Sequence, residues 1–301
     1  MGNEAGMPHL YINGNIVPEN EAVVPANDRA ILFGDGAYET MRSYSWKFFR
    51  FAEHLRRLRH SLEGMRLELP VSDEEIVRGA AELIKSNEIP DARVRLTVTG
   101  GVSDGAIRLA RSHSPNLIMA AAPLRTPPPE AFRDGVEVIV SPWHVPSDSP
   151  LPRIKTINRL MHLMAKEEAI EKGAWDTLFC DEGDGILEGT ATNVFFVVDG
   201  VLRTSPLESP LLAGVTRDVV IEEAKAEGIP VREAPIPAAE AAGEATEAFL
   251  TSTTIELLPI RAMDDRAVGG GKPGPVWRTL HARYRTTVSR ELGIDLAPPA
   301  S

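Results

Sequence analysis

Cysteine is nearly absent: Cys180 is the only one in 301 residues, which excludes an internal disulfide and any cysteine-ligated metal cluster. Aromatic residues make up only 6% of the chain. Lysine is scarce, with Lys47, Lys85, Lys155, Lys166, Lys172, Lys225 and Lys272 the full set. Positive charge is in deficit, and a net charge of -11 argues against nucleic acid or an anionic membrane as a partner. Long apolar runs are missing too; none approaches the ~20 residues a membrane helix needs. Met1 to Pro8 has neither a basic start nor an apolar core, so export is not signalled and the expected location is cytoplasmic. No metal site is expected. What remains is an ordinary globular composition, 43% hydrophobic and 25% charged, with chain enough for one large or two medium domains. Arginine outnumbers lysine, which suits a locally basic pocket for a carboxylate or phosphate.

The strongest short-range signal is Asn13-Gly14 between Leu10-Tyr11-Ile12 and Ile16-Val17, a hairpin. Asp28 to Gly36 leads into a strand over 37–43, with the two glycines around Asp35 reading as a tight loop. A second strand is expected at 48–51 and a helix over 53–65, with Leu55, Leu58 and Leu62 on one face. Ser72 and Glu75 form a capping box for a helix running to about Asn87. Strands follow at 93–99 and 117–122. Pro123 to Pro129 is the clearest linker, so the expected domains are 1–122 and 130–301, joined by 123–129. In the second half strands are expected at 136–141 and 175–180, a hairpin over 194–204, and a strand end at 249–251. Helices are expected over 160–172, 216–227 and 275–292, and Ala297 to Ser301 as a loose end.

The residue around which this pattern organises is Lys155. It lies between Ile154 and Ile157, just before an apolar helical pattern, where an unpaired ammonium is costly. A lysine so placed loses its proton more easily, as an amine that forms a Schiff base must; the same segment also fits a lysine extending to solvent at a helix start. Gly214-Val215-Thr216 precedes a helix and can bind an anion through backbone N–H groups and a hydroxyl. Ser252-Thr253-Thr254 ends a strand and can crowd the same anion. Glu188 stands among apolar and small residues, where a carboxylate needs a cationic partner unless it is a surface-loop residue. Together these describe a cofactor with one carbonyl, one phosphate and one protonatable nitrogen, which is pyridoxal 5′-phosphate (PLP).

The chain resembles the class IV, fold-type IV PLP-dependent aminotransferases. The resemblance runs from about Tyr11 to the C-terminal helix and rests on Phe33-Gly34-Asp35-Gly36-Ala37-Tyr38-Glu39-Thr40, His54 to Leu58, Lys155 to Asn158, Glu188 to Phe195, Leu212 to Arg217, and Thr251 to Glu256. It implies an α/β fold of two domains, an N-terminal α/β sandwich and a C-terminal pseudo-barrel, with PLP at their interface. It places the catalytic lysine on Lys155 and the pyridine-nitrogen carboxylate on Glu188. The phosphate ligands fall on Arg57, Val215, Thr216 and Thr253, with Ser252 and Thr254 beside them. It also implies a homodimer or higher homo-oligomer, with the loop from Ser103 to Arg111 reaching the neighbouring subunit's pocket.

The branch of the family is set by how the substrate carboxylate is held. The Arg-x-His of D-amino-acid transaminases falls on Gly105 and Ile107, so that trap is missing. Branched-chain aminotransferases often carry arginines where this chain has Arg42 and Arg95. Their Gly-Gly-Asn-Tyr after the lysine is replaced by Thr156-Ile157-Asn158-Arg159, which sets Arg159 where a tyrosine would touch the cofactor phenolate. The Asn-Arg-Leu run is similar to aminodeoxychorismate lyases, and Ser252-Thr253-Thr254 to the D-amino-acid branch. The expected activity is transfer of an amino group from an apolar, branched-chain amino acid to 2-oxoglutarate. D-amino-acid transamination and 4-amino-4-deoxychorismate lysis are the alternatives. Phe33, Tyr38, Arg42 and Arg95 are the expected substrate residues.

Overall fold

A computed structural model describes residues 7–69, 71–109 and 115–296. Its contacts divide into two compact units, residues 1–125 with 154–158, and residues 126–153 with 159–301. The first division falls inside the proline-rich 123–129 stretch. The second is a difference from the sequence reading, which set Lys155 and its neighbours in the C-terminal half.

The first unit begins with the hairpin β1 (His9–Ile12) and β2 (Asn15–Pro18), turned by Asn13 and Gly14 at positive φ. Then come α1 (Arg29–Phe33), β3 (Gly36–Tyr44), β4 (Lys47–Phe48), α2 (Phe51–Gly64), α3 (Asp73–Ser86), β5 (Ala92–Thr99) and β6 (Leu117–Pro123). A short helix that the sequence reading did not expect, capped by the Asp28 side chain and ended by Gly34 at φ 66, precedes the loop around Asp35. The expected strand at 48–51 is cut short because Phe51 already opens α2. The six strands form an antiparallel sheet in the order β2-β1-β6-β5-β3-β4. One face, with Ala37, Met41, Val94, Leu96 and Met119, packs on Leu55, Leu58 and Leu62 of α2 and on Ile76, Ala80 and Leu83 of α3. Each such fully buried leucine is worth about 1.5–3 kcal/mol. Segment 154–158 runs antiparallel beside the start of β3: Tyr38 N donates to Lys155 O at 2.9 Å and Ile157 N to Gly36 O at 2.9 Å.

The second unit contains α4 (Pro129–Asp134), β7 (Val136–Val145), α5 (Leu160–Glu171), β8 (Asp176–Asp181), β9 (Ile186–Gly189), β10 (Asn193–Val198) and β11 (Val201–Thr204). It continues with α6 (Val215–Ala226), β12 (Val231–Glu233), α7 (Ala238–Glu244), β13 (Glu247–Ser252), β14 (Glu256–Met263), β15 (Arg266–Ala267) and α8 (Pro275–Leu292). Strands run β10-β13-β14-β7-β8-β9 and return to β10, so six strands close into a barrel. The closing contact is a single pair, Glu188 opposite Asn193. Alternate residues of these strands, among them Val138, Leu178, Ile186, Phe196, Leu250 and Leu258, share one core. β14 is absent from the sequence reading because Pro259, which lacks a ladder donor, sits in its middle.

Cys180 belongs to that core. Burial, with Asp184 and Asp181 adding to it, pushes its thiol up to about 12. It is expected to stay unmodified by a thiol-specific disulfide reagent at pH 8 in the native protein and to react at once after unfolding. Fast native-state labelling would contradict this placement. No helix among the described residues is long and apolar enough to cross a membrane.

Candidate functional site

In the first unit, α2 and β3 organise the chemistry. Glu39 is on the helix-packed face of β3, fully buried, where a carboxylate survives only if paired. Arg57 of α2 supplies both arms of a fork, Nε to Oε1 at 2.7 Å and Nη2 to Oε2 at 2.8 Å, and His54 Nδ1 lies 2.8 Å from Oε2. Burial alone would raise the Glu39 pKa, but the Arg57 charge and the hydrogen bonds from Arg57 and His54 hold it well below the usual carboxylate range. Burial in turn lowers His54, against the pull of Glu39, so the imidazole is neutral.

One turn further along α2, Ser61 Oγ accepts from Lys155 N at 2.9 Å and donates to Arg57 O at 3.0 Å. Arg57 and Lys155 are thereby placed from one helix. On the opposite face of β3, Tyr38 and Arg42 alternate about Thr40, whose cross-strand partner is Arg95. The Arg95 guanidinium stacks on the Tyr38 ring, 3.7 Å from its centroid, and Lys155 Nζ is 4.8 Å from the same centroid. Arg42, 8% exposed, stacks on Tyr44 at 4.0 Å. Phe33 is exposed at the end of α1, with the buried Arg29 guanidinium above its ring.

In the second unit, Glu188 lies in β9 rather than on a surface loop, and is 9% exposed. Leu212 N donates to its Oε2 at 3.1 Å, and Asn193 Nδ2 is 3.4 Å from the same oxygen. The turn after it is fixed by the buried Asp176, which accepts from Thr190 Oγ1 at 2.5 Å and Thr192 Oγ1 at 2.9 Å. Arg159, at the start of α5, donates to Thr190 O. Helix α6 opens at Gly214 with no side-chain cap, and Val215 and Thr216 in its first turn are buried. Ser252 Oγ and Thr254 Oγ1, on either side of Thr253, are 3.4 Å apart in the turn after β13. Thr251, opposite Asn193 across the sheet, has a buried hydroxyl with no hydrogen-bond partner.

These groups fit PLP. An uncapped helix start and an orphaned buried hydroxyl are donors that an anion would satisfy, and the braced carboxylate of Glu188 suits a protonated ring nitrogen. Sequence reading quoted Glu39, Asn193 and Thr251 within motifs but gave them no role, and it missed Asp176 altogether. The available signal for Glu39 was a carboxylate in register with Ala37 and Met41, with His54 and Arg57 three apart on the facing helix.

Comparison with known proteins agrees with that chemistry. The amino-transferase class IV family model matches residues 36–263. The chain is 34% identical over 277 residues to a putative branched-chain-amino-acid aminotransferase of Methanocaldococcus jannaschii, covering 92% of this chain and 95% of that protein. It is 35% identical over 288 residues to a D-alanine aminotransferase of Listeria monocytogenes, covering 94% and 97%. Among solved structures, the T.th. branched-chain amino acid aminotransferase complexed with N-(5′-phosphopyridoxyl)-L-glutamate superposes with a TM-score of 0.87 at 29% identity, over 95% of each chain. The fold is that of a PLP-dependent transferase. The chain belongs to the class IV aminotransferases, with PLP as its cofactor and amino acids and 2-oxo acids as its substrate class.

Proposed function

We propose that this aminotransferase moves the amino group of an apolar, branched-chain L-amino acid to 2-oxoglutarate. The observation that carries the reading is the Tyr38 ring shared by Lys155 and Arg95. Arg95 and Lys155 approach the same ring, so a substrate carboxylate held on Arg95 would set the substrate Cα near the lysine amine. Arg42 adds a second guanidinium on the same sheet face, and Phe33 and Tyr38 supply apolar contact for the side chain. Gly105 and Ile107, where Arg-x-His would hold a D-amino acid, have no charge to offer.

Bound PLP supplies the electron sink that makes the substrate Cα proton acidic. Lys155 Nζ would be the amine that holds the cofactor's carbonyl carbon and the base that moves the substrate Cα proton. Glu188 would keep the ring nitrogen protonated. The amides of Val215 and Thr216, the hydroxyls of Ser252, Thr253 and Thr254, and the Arg57 guanidinium would hold the phosphate. Arg159 would meet the phenolate oxygen with a permanent cation in place of a hydroxyl.

The second reading, D-amino-acid transamination, is favoured by the Listeria relative and by Ser252-Thr253-Thr254. Holoenzyme mixed with L-leucine is expected to lose its visible cofactor band as pyridoxamine phosphate forms, and to recover it with 2-oxoglutarate. No response to L-leucine beside a fast one to D-alanine reverses the order. Pyruvate release from aminodeoxychorismate without any keto-acid acceptor would instead mark a lyase.

A homodimer is also proposed. Helix α5 exposes Leu160, Met161, Leu163, Met164 and Ile170, an apolar surface that a monomer rarely leaves in water. Light scattering is expected to return twice the 32.7 kDa chain mass. A monomer at micromolar concentration contradicts this.

A further inference from the structure

We infer that Asn193 is a positioning residue that sets the separation between the Glu188 carboxylate and the start of α6; this rests on the roles proposed above for Glu188, Val215 and Thr216. A pyridine ring with a short phosphate arm is nearly rigid. The groups that hold its two ends must therefore keep one spacing, and small errors in that spacing weaken both contacts.

The residue between those two ends is Asn193. It is 6% exposed, begins β10, and forms with Glu188 the single pair that closes the barrel. Its Nδ2 donates to Leu212 O at 2.9 Å and is 3.4 Å from Glu188 Oε2, while Leu212 N donates to that same oxygen at 3.1 Å. Glu188, Asn193 and Leu212 thus form a closed triangle of polar contacts. Leu212 is two residues ahead of Gly214, the first turn of α6 follows, and so the triangle ties the acid directly to the helix start.

The other side-chain atom, Oδ1, meets Gly214 itself. A Cβ added at Gly214 would overlap Asn193 Oδ1 and come within 3.1 Å of Arg217 Cβ. Gly214 has φ -80 and ψ 128, a conformation open to any residue, so glycine is needed there for space and not for backbone freedom. The space is occupied by the amide of Asn193. Asp176 braces the same device from behind, since the three hydrogen bonds it accepts from Thr190 N, Thr190 Oγ1 and Thr192 Oγ1 fix the turn that joins Glu188 to Asn193.

The test is a double-mutant cycle on the full chain, with PLP removed and added back. Three quantities are read: the PLP dissociation constant, the visible absorption maximum of the bound cofactor, and the melting temperature of the cofactor-free protein. Asn193→Ala is expected to weaken PLP binding about tenfold and to shift the absorption maximum, as loss of a hydrogen bond that orients a buried carboxylate would. Gly214→Ala is expected to weaken binding about 100-fold in the native background and less than about threefold in the Asn193→Ala background, where the overlapping atom is gone. Asn193→Asp keeps the volume but replaces the donor by an acceptor facing Leu212 O and Glu188. It is expected to reproduce the Asn193→Ala loss, and it carries the test if the alanine variant does not fold. Native affinity and absorption in Asn193→Ala, or in Asn193→Asp, overturn the inference. So does a Gly214→Ala penalty that is equal in the two backgrounds. Glu188→Ala is measured in parallel: if it changes neither affinity nor absorption, the role given to Glu188 fails, and if it changes both while Asn193→Ala changes neither, only the positioning role fails.

Discussion

Lys155→Ala is expected to lower transamination by at least about 10³-fold while PLP still binds without covalent attachment. The loss is large because one amine does two jobs. In the proposed role it would both hold the cofactor carbonyl carbon and be the base at the substrate Cα, a proton transfer that alone contributes about 10²–10⁴-fold. The folded chain is expected to tolerate the change, since the contacts that fix this segment are made by backbone atoms: Lys155 N to Ser61 Oγ, Tyr38 N to Lys155 O and Ile157 N to Gly36 O. Steady-state rates, the visible cofactor band and the melting temperature separate the two effects. A variant that keeps a tenth of the native rate contradicts the assignment of Lys155 as base.

The second large effect is structural. Glu39→Ala removes the fully buried partner of Arg57 and of His54, and breaking a buried pair in this way costs about 3–5 kcal/mol. Because Arg57 is also proposed as a phosphate ligand, affinity for PLP is expected to fall with stability. Urea denaturation of the cofactor-free protein checks the first, and a PLP titration the second. The same cluster makes stability depend on pH. Both pKa values are lowered in the folded protein, His54 below its ordinary 6.5 and Glu39 below its ordinary 4.5. The unfolded chain therefore binds protons more readily in each case. The His54 contribution is complete above pH 6.5 and declines below it, and that of Glu39 is lost only on acidification below 4.5. Stability is expected to fall in two stages from pH 7 to pH 3, and Glu39→Ala to remove the lower stage. A native-like lower stage in that variant contradicts the account.

Much of this was legible in the sequence where the signal is local. The Asn13-Gly14 turn, the Ser72 and Glu75 capping box and the closing helix α8 follow from residues a few positions apart. So does the hydroxyl-rich turn at 252–254. Signals failed where tertiary context decides. Pro259 argues against the strand that contains it, yet β14 pairs with β13 on both sides of the proline, from Ser252 opposite Glu256 to Ala248 opposite Ile260. Segment 154–158 adjoins a helix pattern of the second unit in sequence, yet its backbone pairs with β3 more than 100 residues earlier. Glu39 looks out of place in a strand until His54 and Arg57 are brought to it by the packing of α2. Glu188 read equally well as a loop residue, because nothing nearby in sequence shows that Leu212 and Asn193 enclose it.

Reduction of the holoenzyme with borohydride, followed by peptide mass spectrometry, tests the central assignment most directly. The phosphopyridoxyl mass is predicted on the peptide containing Lys155 and on none of the peptides with Lys47, Lys85, Lys166, Lys172, Lys225 or Lys272. Label on any of those six, or no label on a visibly coloured protein, would contradict the account.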